Sequence, residues 1–346
     1  METNFSTALN QSAELDEPAD YTALHTLLLV MLGITFVLGI LGNGLVIWVA
    51  GFRMPRTVTT ITYLNLAVAD FSFSATLPFR IVWIIKKHWP FGWFLCKFIM
   101  IMVEINLYES IFLITLIALD RCCCVLHPVW SQNHRTVGLA KKVITGVWLL
   151  ALFFSLPIII FTNTRSDEDG YTHCDICFES LLGDTIEEIE KVAIPLSISL
   201  VTIRFIFAFN IPVAVITVCY GLVATNIRKR GLVNSRRPLR ILTAIGVAFF
   251  LCWFPFQLVA LLITVWSTSQ FRETLAILFD LTKHLAFFNS CLNPVLYVFV
   301  GQNFQKRLIQ SLPASLERAL QEDPDQTGDT ASTSMPPPLD VELQAR

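Results

Sequence analysis

Seven separate apolar stretches run through the chain, at residues 24–50, 57–85, 94–125, 142–161, 193–227, 238–266 and 274–300. Each is long enough to cross a bilayer, because a helix rising ~1.5 Å per residue needs about 20 apolar residues to span a ~30 Å hydrocarbon core. Lipid offers backbone groups no hydrogen-bond partner, so such segments must be helices that satisfy themselves. The expected fold is an all-α membrane protein, a seven-transmembrane helix bundle. Composition agrees: 54% of the 346 residues are hydrophobic and 15% are charged, whereas a soluble chain carries about 25% charged residues.

The cations are unevenly placed. Arg53 and Arg56 lie in the first connection, Arg135 and Lys141 in the third, and Arg228, Lys229, Arg230, Arg236, Arg237 and Arg240 in the fifth. Lys306 and Arg307 follow the last stretch, while the long fourth connection holds nine acids between Asp167 and Glu190. This bias places the odd connections and the C-terminus in the cytoplasm and the N-terminus outside. Asn4-Phe5-Ser6 and Asn10-Gln11-Ser12 are glycosylation sequons on the expected outer side. Residues 1–21 are polar and acidic, without the apolar core of a cleavable signal, so the first spanning helix directs insertion. The organisation is then an outer glycosylated segment (1–23), the seven-helix bundle (24–300), a short cytoplasmic helix (301–312) and a tail (313–346). In the short helix Phe304, Leu308 and Ile309 oppose Lys306 and Arg307, an interfacial amphipathic pattern. The tail is rich in Pro, Ser, Thr, Asp and Gln and is expected to be disordered, with Thr327, Thr330, Ser332, Thr333 and Ser334 open to phosphorylation.

Six of the nine cysteines lie in or at the ends of spanning stretches, as ordinary packing residues. Cys96, Cys174 and Cys177 fall on the oxidising side, where either loop cysteine could bridge to Cys96. Cys174 and Cys177 have the spacing of half a metal site, and no second half exists. The six histidines are scattered and form no nucleophile–base pair, so no enzymatic activity is expected. Related halves or paired broken helices, which would mark a transporter, are not visible.

Particular residues narrow the class. The first stretch carries Gly42-Asn43, the second ends a Leu-Ala-Val-Ala run in Asp70, and the third closes with Asp120-Arg121-Cys122. Trp148 lies in the fourth and Pro212 and Tyr220 in the fifth. The sixth contains Cys252-Trp253-Phe254-Pro255, and the seventh Asn293-Pro294-Val295-Leu296-Tyr297. In this order, on these helices, the chain resembles a rhodopsin-like (class A) G-protein-coupled receptor. Asn43, Asp70 and Asn293 would be costly at mid-membrane depth unless they share an interior. They are read either as a hydrated cluster holding Na⁺ on Asp70 or as a structural hydrogen-bond network; no other cofactor is expected. Arg121, beside Asp120, is implied to be restrained at rest and freed on activation to engage the G protein. Pro212, Pro255 and Pro294 are expected to kink their helices, with the bend below Trp253 acting as a hinge. A retinal lysine would have to stand at Phe287, which excludes a photoreceptor.

Finer runs are similar to formyl peptide receptors: GLVIWVAGFRM at 44–54, HWPFGWFLCK at 88–97, LHPVW at 126–130, QNHRT at 132–136 and LPASLERAL at 312–320. The resemblance implies an extracellular peptide ligand, an inhibitory-class G protein, chemotaxis with calcium mobilisation, receptor kinases and arrestin on the tail, and residence in the plasma membrane. Some members of the family resemble vomeronasal chemosensory receptors, which is the alternative role. No nucleic-acid partner is expected. The resemblance aligns Cys174 with the loop cysteine that pairs with Cys96. It also implies a ligand pocket of one acid on the third helix and two arginines one turn apart on the fifth. Here the acid is Glu104 and the second arginine is Arg204, but Leu200 stands in place of the first, removing a donor fork that a neutral side chain cannot replace. Arg80 and Lys283 stand where leukocyte members are uncharged, and Glu109 adds a second acid below Glu104. Intramembrane charges are candidate ligand contacts, as is Trp253. Arg80 and Lys283 could instead snorkel to the interface, and Glu104 and Arg204 could simply pair.

Overall fold

A computed structural model describes residues 19–167, 170–177, 186–229, 236–265 and 272–300, setting aside the side chains of 19–22, 186–191, 236–243, 245, 265, 272–273 and 296–300. Asn4, Asn10, the segment 301–312, the tail 313–346 and the Tyr297 side chain therefore lie outside the described residues.

The elements in chain order are α1 (Ala19–Trp48), α2 (Val58–Ser74), α3 (Leu77–Lys86), α4 (Gly92–Leu126), α5 (Pro128–His134) and α6 (Val137–Phe161). A hairpin of β1 (Thr162–Ser166) and β2 (Thr172–Ile176) follows, then α7 (Ile186–Phe205), α8 (Ile211–Lys229), α9 (Arg236–Val265) and α10 (Arg272–Val300). All seven apolar stretches are helical, with most ends within five residues of the expected ones and the fifth span starting seven residues early, at Ile186 rather than 193. Among the described residues, six of these spans are long and apolar enough to cross a membrane by composition alone, and the third is not among them. The third, α4, has 35 residues and carries Glu104, Asn106, Glu109 and Ser110 along its middle.

Two of the spans are broken in ways that the hydropathy pattern does not reveal. The second is α2 plus α3, separated at Ala75-Thr76, where the Thr76 hydroxyl donates to the Phe73 carbonyl at 2.7 Å. Pro78 enters the first turn of α3, where its missing N–H costs nothing, and Leu77 and Arg80 then share the buried face of that helix. The fifth span is α7 plus α8, joined by a π-turn at Ile206–Asn210. Pro212 follows immediately. Its ring would clash with the carbonyl four residues back in a regular helix, and the widened turn removes that clash. Pro157, Pro195, Pro255 and Pro294 lie inside helices. A second π-turn, Val49–Arg53, closes the first span.

The bundle packs around α4, which touches α2, α6, α8 and the hairpin, while α10 packs on α9 and α1. At Gly42 a Cβ would sit 3.0 Å from the Pro294 Cβ, so α1 and α10 meet there in a contact only glycine fits without displacing its neighbour. The hairpin covers one end of the bundle. Thr164 pairs with Cys174 across its antiparallel register. A disulfide joins Cys174, not Cys177, to Cys96 at the start of α4, 78 residues away. Trp89 donates its backbone N–H to Thr172 at 2.6 Å and Lys97 donates to the Ile159 carbonyl at 3.0 Å, which ties the hairpin and α6 to the same corner.

Candidate ligand and coupling sites

The polar centre forms because four helices contribute six short polar side chains to one buried interior: Asn43 of α1, Asp70 of α2, Asn106 and Ser110 of α4, and Ser290 and Asn293 of α10. Asp70 of α2 is fully buried. Its Oδ1 accepts from Asn106 at 2.9 Å and from Ser110 at 3.4 Å, both on α4. Its Oδ2 accepts from Asn293 of α10 at 2.8 Å. Ser290 donates to the Asn106 carbonyl oxygen at 3.2 Å, and Asn43 of α1 donates to the Ser290 backbone at 2.9 Å. Asn43 therefore reaches Asp70 only through this chain, and its own Oδ1 has no hydrogen-bond partner. Asn106, Ser110 and Ser290 were not singled out by sequence reasoning. Their signal was three small polar residues on the inward face of apolar helices. Glu109, one residue before Ser110, is 0% exposed and neither carboxyl oxygen has a hydrogen-bond partner.

Toward the hairpin end, Arg204 of α7 meets Glu104 of α4 through Nη1 and Oε1 at 3.4 Å. Leu200 lies one turn earlier on α7, partly buried, and contributes no donor. The Arg204 guanidinium stands 5.2 Å over the Phe256 ring, which packs on Trp253 and on Phe279 with centroid separations of 6.0 and 5.3 Å. Lys283 stands 5.1 Å over Phe279 and bonds Asp280 at 2.7 Å. Asp280 was missed in the sequence although it lies three residues before Lys283, the spacing of neighbours on a helix face. Arg80 does not snorkel: it is 8% exposed and faces the bundle beside Phe287. The Trp253 indole N–H and both amide atoms of Gln257 are buried without partners in this half of the bundle. Polar atoms left unsatisfied in a low-dielectric interior are expensive, and they are what an entering ligand would engage.

At the opposite end, Asp120 is held by a residue that sequence reasoning did not pair with it. Arg135, between α5 and α6, donates to Asp120 through Nε at 2.6 Å and through Nη2 at 3.0 Å. Arg121 approaches the same carboxylate only to 3.9 Å and donates instead to Thr59 of α2, which Arg135 also bonds, at 2.9 Å. The hydrogen bond to Asp120 raises the Arg135 pKa above its already high value, so the clamp stays charged. A cavity of about 190 Å³ opens beside it, lined by Thr62, Ile117, Trp130, Leu139 and Val143 among others. Tyr220 of α8 packs against α9 at Gly246, where an added Cβ would lie 3.4 Å from its ring.

A helical bundle with a buried acid at mid-depth, a disulfide-anchored hairpin over one end and an Asp-Arg pair at the other is the architecture of a seven-transmembrane receptor. Residues 42–297 match the rhodopsin family of such receptors. The chain is 60% identical to N-formyl peptide receptor 2 of Homo sapiens and 53% identical to N-formyl peptide receptor 3 of the same species, over the full length of each. It is 55% identical to formyl peptide receptor 2 of Mus musculus, also end to end. The chain belongs to the formyl peptide receptor family of class A G-protein-coupled receptors. It is a multi-pass membrane receptor and not an enzyme.

Proposed function

We propose that this receptor detects peptide chemoattractants at its hairpin end, which faces the outside of the plasma membrane, and activates an inhibitory-class G protein to drive chemotaxis and calcium mobilisation. The observation that carries this reading is the Glu104–Arg204 pair, seated on the aromatic path that leads through Phe256 to Trp253. An agonist that bonds Arg204 competes for Glu104 and presses on Phe256, and Pro255 beside it lets α9 bend. The described arrangement is read as the resting one, with Arg121 bonded to Thr59 and Asp120 clamped by Arg135. The names of the relatives point to formyl-methionyl peptides, and the absent donor fork at Leu200 argues for weaker recognition of them. The Lys/Arg bias of the odd connections supports the orientation.

The oxygens of Asp70, Ser110 and Ser290 suit a small hard cation such as Na⁺. When bound, that ion would supply positive charge against Asp70. We further propose glycans on Asn4 and Asn10, and tail phosphorylation by receptor kinases with arrestin capture.

The test is G-protein activation in cells by formylated and unformylated forms of the same peptides. A lost charge-assisted hydrogen bond weakens binding by ~1.5–3 kcal/mol, and each ~1.4 kcal/mol is tenfold. Formyl-methionyl peptides should therefore act roughly ten- to a hundredfold more weakly than at a receptor with both arginines. Leu200→Arg should recover part of that loss, and Arg204→Ala should abolish the remaining response. Unaltered potency in Arg204→Ala would refute the reading.

A further inference from the structure

The fold spends an unusual resource at Arg80. Its guanidinium is pulled inward by the break in the second span and clasped between two rings, 5.1 Å from the Phe287 centroid and 5.5 Å from that of Trp83. The Nε is buried and makes no hydrogen bond. None of the ion pairs among the described residues includes Arg80. Aromatic faces hold a cation in place but leave its N–H donors unused. A buried charge without a partner is costly, so a purely structural arginine here would be expected to have acquired a carboxylate. Phe287 in turn packs on Phe73 and on His284, whose Nε2 is also buried without a partner. Asp280, Lys283, His284 and Phe287 recur at helix spacing along α10 and form the wall facing this position.

We infer that Arg80 is the docking point for a carboxylate carried by the agonist, at a subsite on α3 and α10 separate from the Glu104–Arg204 pair. The inference deepens the peptide-receptor reading and rests on it. The planar guanidinium, with its buried Nε unclaimed, matches a carboxylate edge to edge. Asp280 and Asp175 lie within electrostatic range of Arg80 without pairing to it. Their field disfavours a doubly charged group such as a phosphate monoester and leaves a monoanion as the fitting ligand. On a peptide this is the C-terminal carboxylate or an acidic side chain near it. Lys283, already bonded to Asp280, stands by as a second cation on the same wall.

The experiment uses formyl-methionyl peptides of three to six residues, each as the free acid, as the C-terminal amide, and as the amide with a terminal glutamate. G-protein activation is read in cells expressing the full receptor at matched surface levels. The best-acting free acid should be roughly ten- to a hundredfold more potent than its amide, the span expected for a charge-assisted pair. A glutamate that restores potency to the amide would locate the preferred anion on a side chain; failure to restore it would assign the C-terminus. In Arg80→Gln the acid should fall to the level of the amide while the amide is unchanged, and Arg80→Lys should recover part of the difference. A merely structural Arg80 would move acid and amide together. If Arg80→Gln fails to reach the surface, the acid-to-amide ratio on the unmodified receptor and on Arg80→Lys decides. Acid and amide acting equally on the unmodified receptor, or a ratio unaltered in Arg80→Gln, overturns the inference while leaving the peptide reading intact. No response to any peptide of the series refutes the peptide reading, and this inference with it.

Discussion

Removing the Arg135 side chain should raise signalling in the absence of agonist, and the size of the rise can be worked from the clamp. Two charge-assisted hydrogen bonds of 2.6 and 3.0 Å join Arg135 to Asp120, with side-chain exposures of 27% and 17%. Hydrogen bonds to charged groups contribute ~1.5–3 kcal/mol each when dry. Partial access to water and the entropy of a long side chain reduce the pair to about 1–2 kcal/mol. If the clamp exists only in the resting arrangement, its full loss shifts the resting-to-active ratio by roughly 5- to 30-fold. Arg135→Ala will deliver less than this, because the freed Asp120 can close the 3.9 Å gap to Arg121 and rebuild a restraint. Asp120→Asn releases both arginines and should give the larger increase. The assay is basal nucleotide exchange on a purified inhibitory-class G protein by receptor in lipid nanodiscs, for wild type, each single variant and the double. Within the cycle the coupling between the two positions should be about 1 kcal/mol or more. Basal exchange in Asp120→Asn no higher than wild type, or a coupling near zero, would refute the reasoning.

Two further outcomes are expected. Cys174→Ser should impair surface expression or peptide binding, since it opens a loop of 78 residues whose closure is worth ~2–5 kcal/mol, whereas Cys177→Ser should be mild; radioligand binding on intact cells would expose the reverse pattern. Glu109→Leu should raise the melting temperature of the ligand-free receptor by several degrees, because it removes a carboxyl group with no hydrogen-bond partner at either oxygen, and a lower melting temperature would mean that the acid has a partner in solution.

Most of the architecture was legible because lipid permits so few solutions. Once a stretch is long and apolar its secondary structure is settled, and a polar residue inside it must find an interior. Asp70, Asn43 and Asn293 could be grouped on that ground alone, and they do share one network. What stayed hidden depends on direction rather than composition. Whether Arg80 turns toward lipid headgroups or into the bundle is decided by the Ala75-Thr76 break, which changes no average over the stretch. The Asp120–Arg135 pair depends on how α5 folds back, and a sequence separation of 15 does not encode that reach in any periodicity. The choice of Cys174 over Cys177 likewise came from resemblance, because both lie on the same side of the membrane and three residues apart. The π-turn had a signal in Pro212, but proline alone does not distinguish a kink from a widened turn.

That widened turn sets the phase between two halves of the fifth span. A residue added to or removed from an α-helix turns everything beyond it by about 100°. Ile206–Asn210 acts as a fixed angular offset between the segment bearing Arg204 and the one bearing Tyr220. Deleting a single residue there would preserve the composition of the span, its length to within one rise, and every side chain that touches peptide or G protein. It would nonetheless swing Arg204 away from Glu104 while Tyr220 stayed against Gly246. The contact of α8 with α9 would be intact, while the Glu104–Arg204 pair toward the hairpin end would be out of step with it.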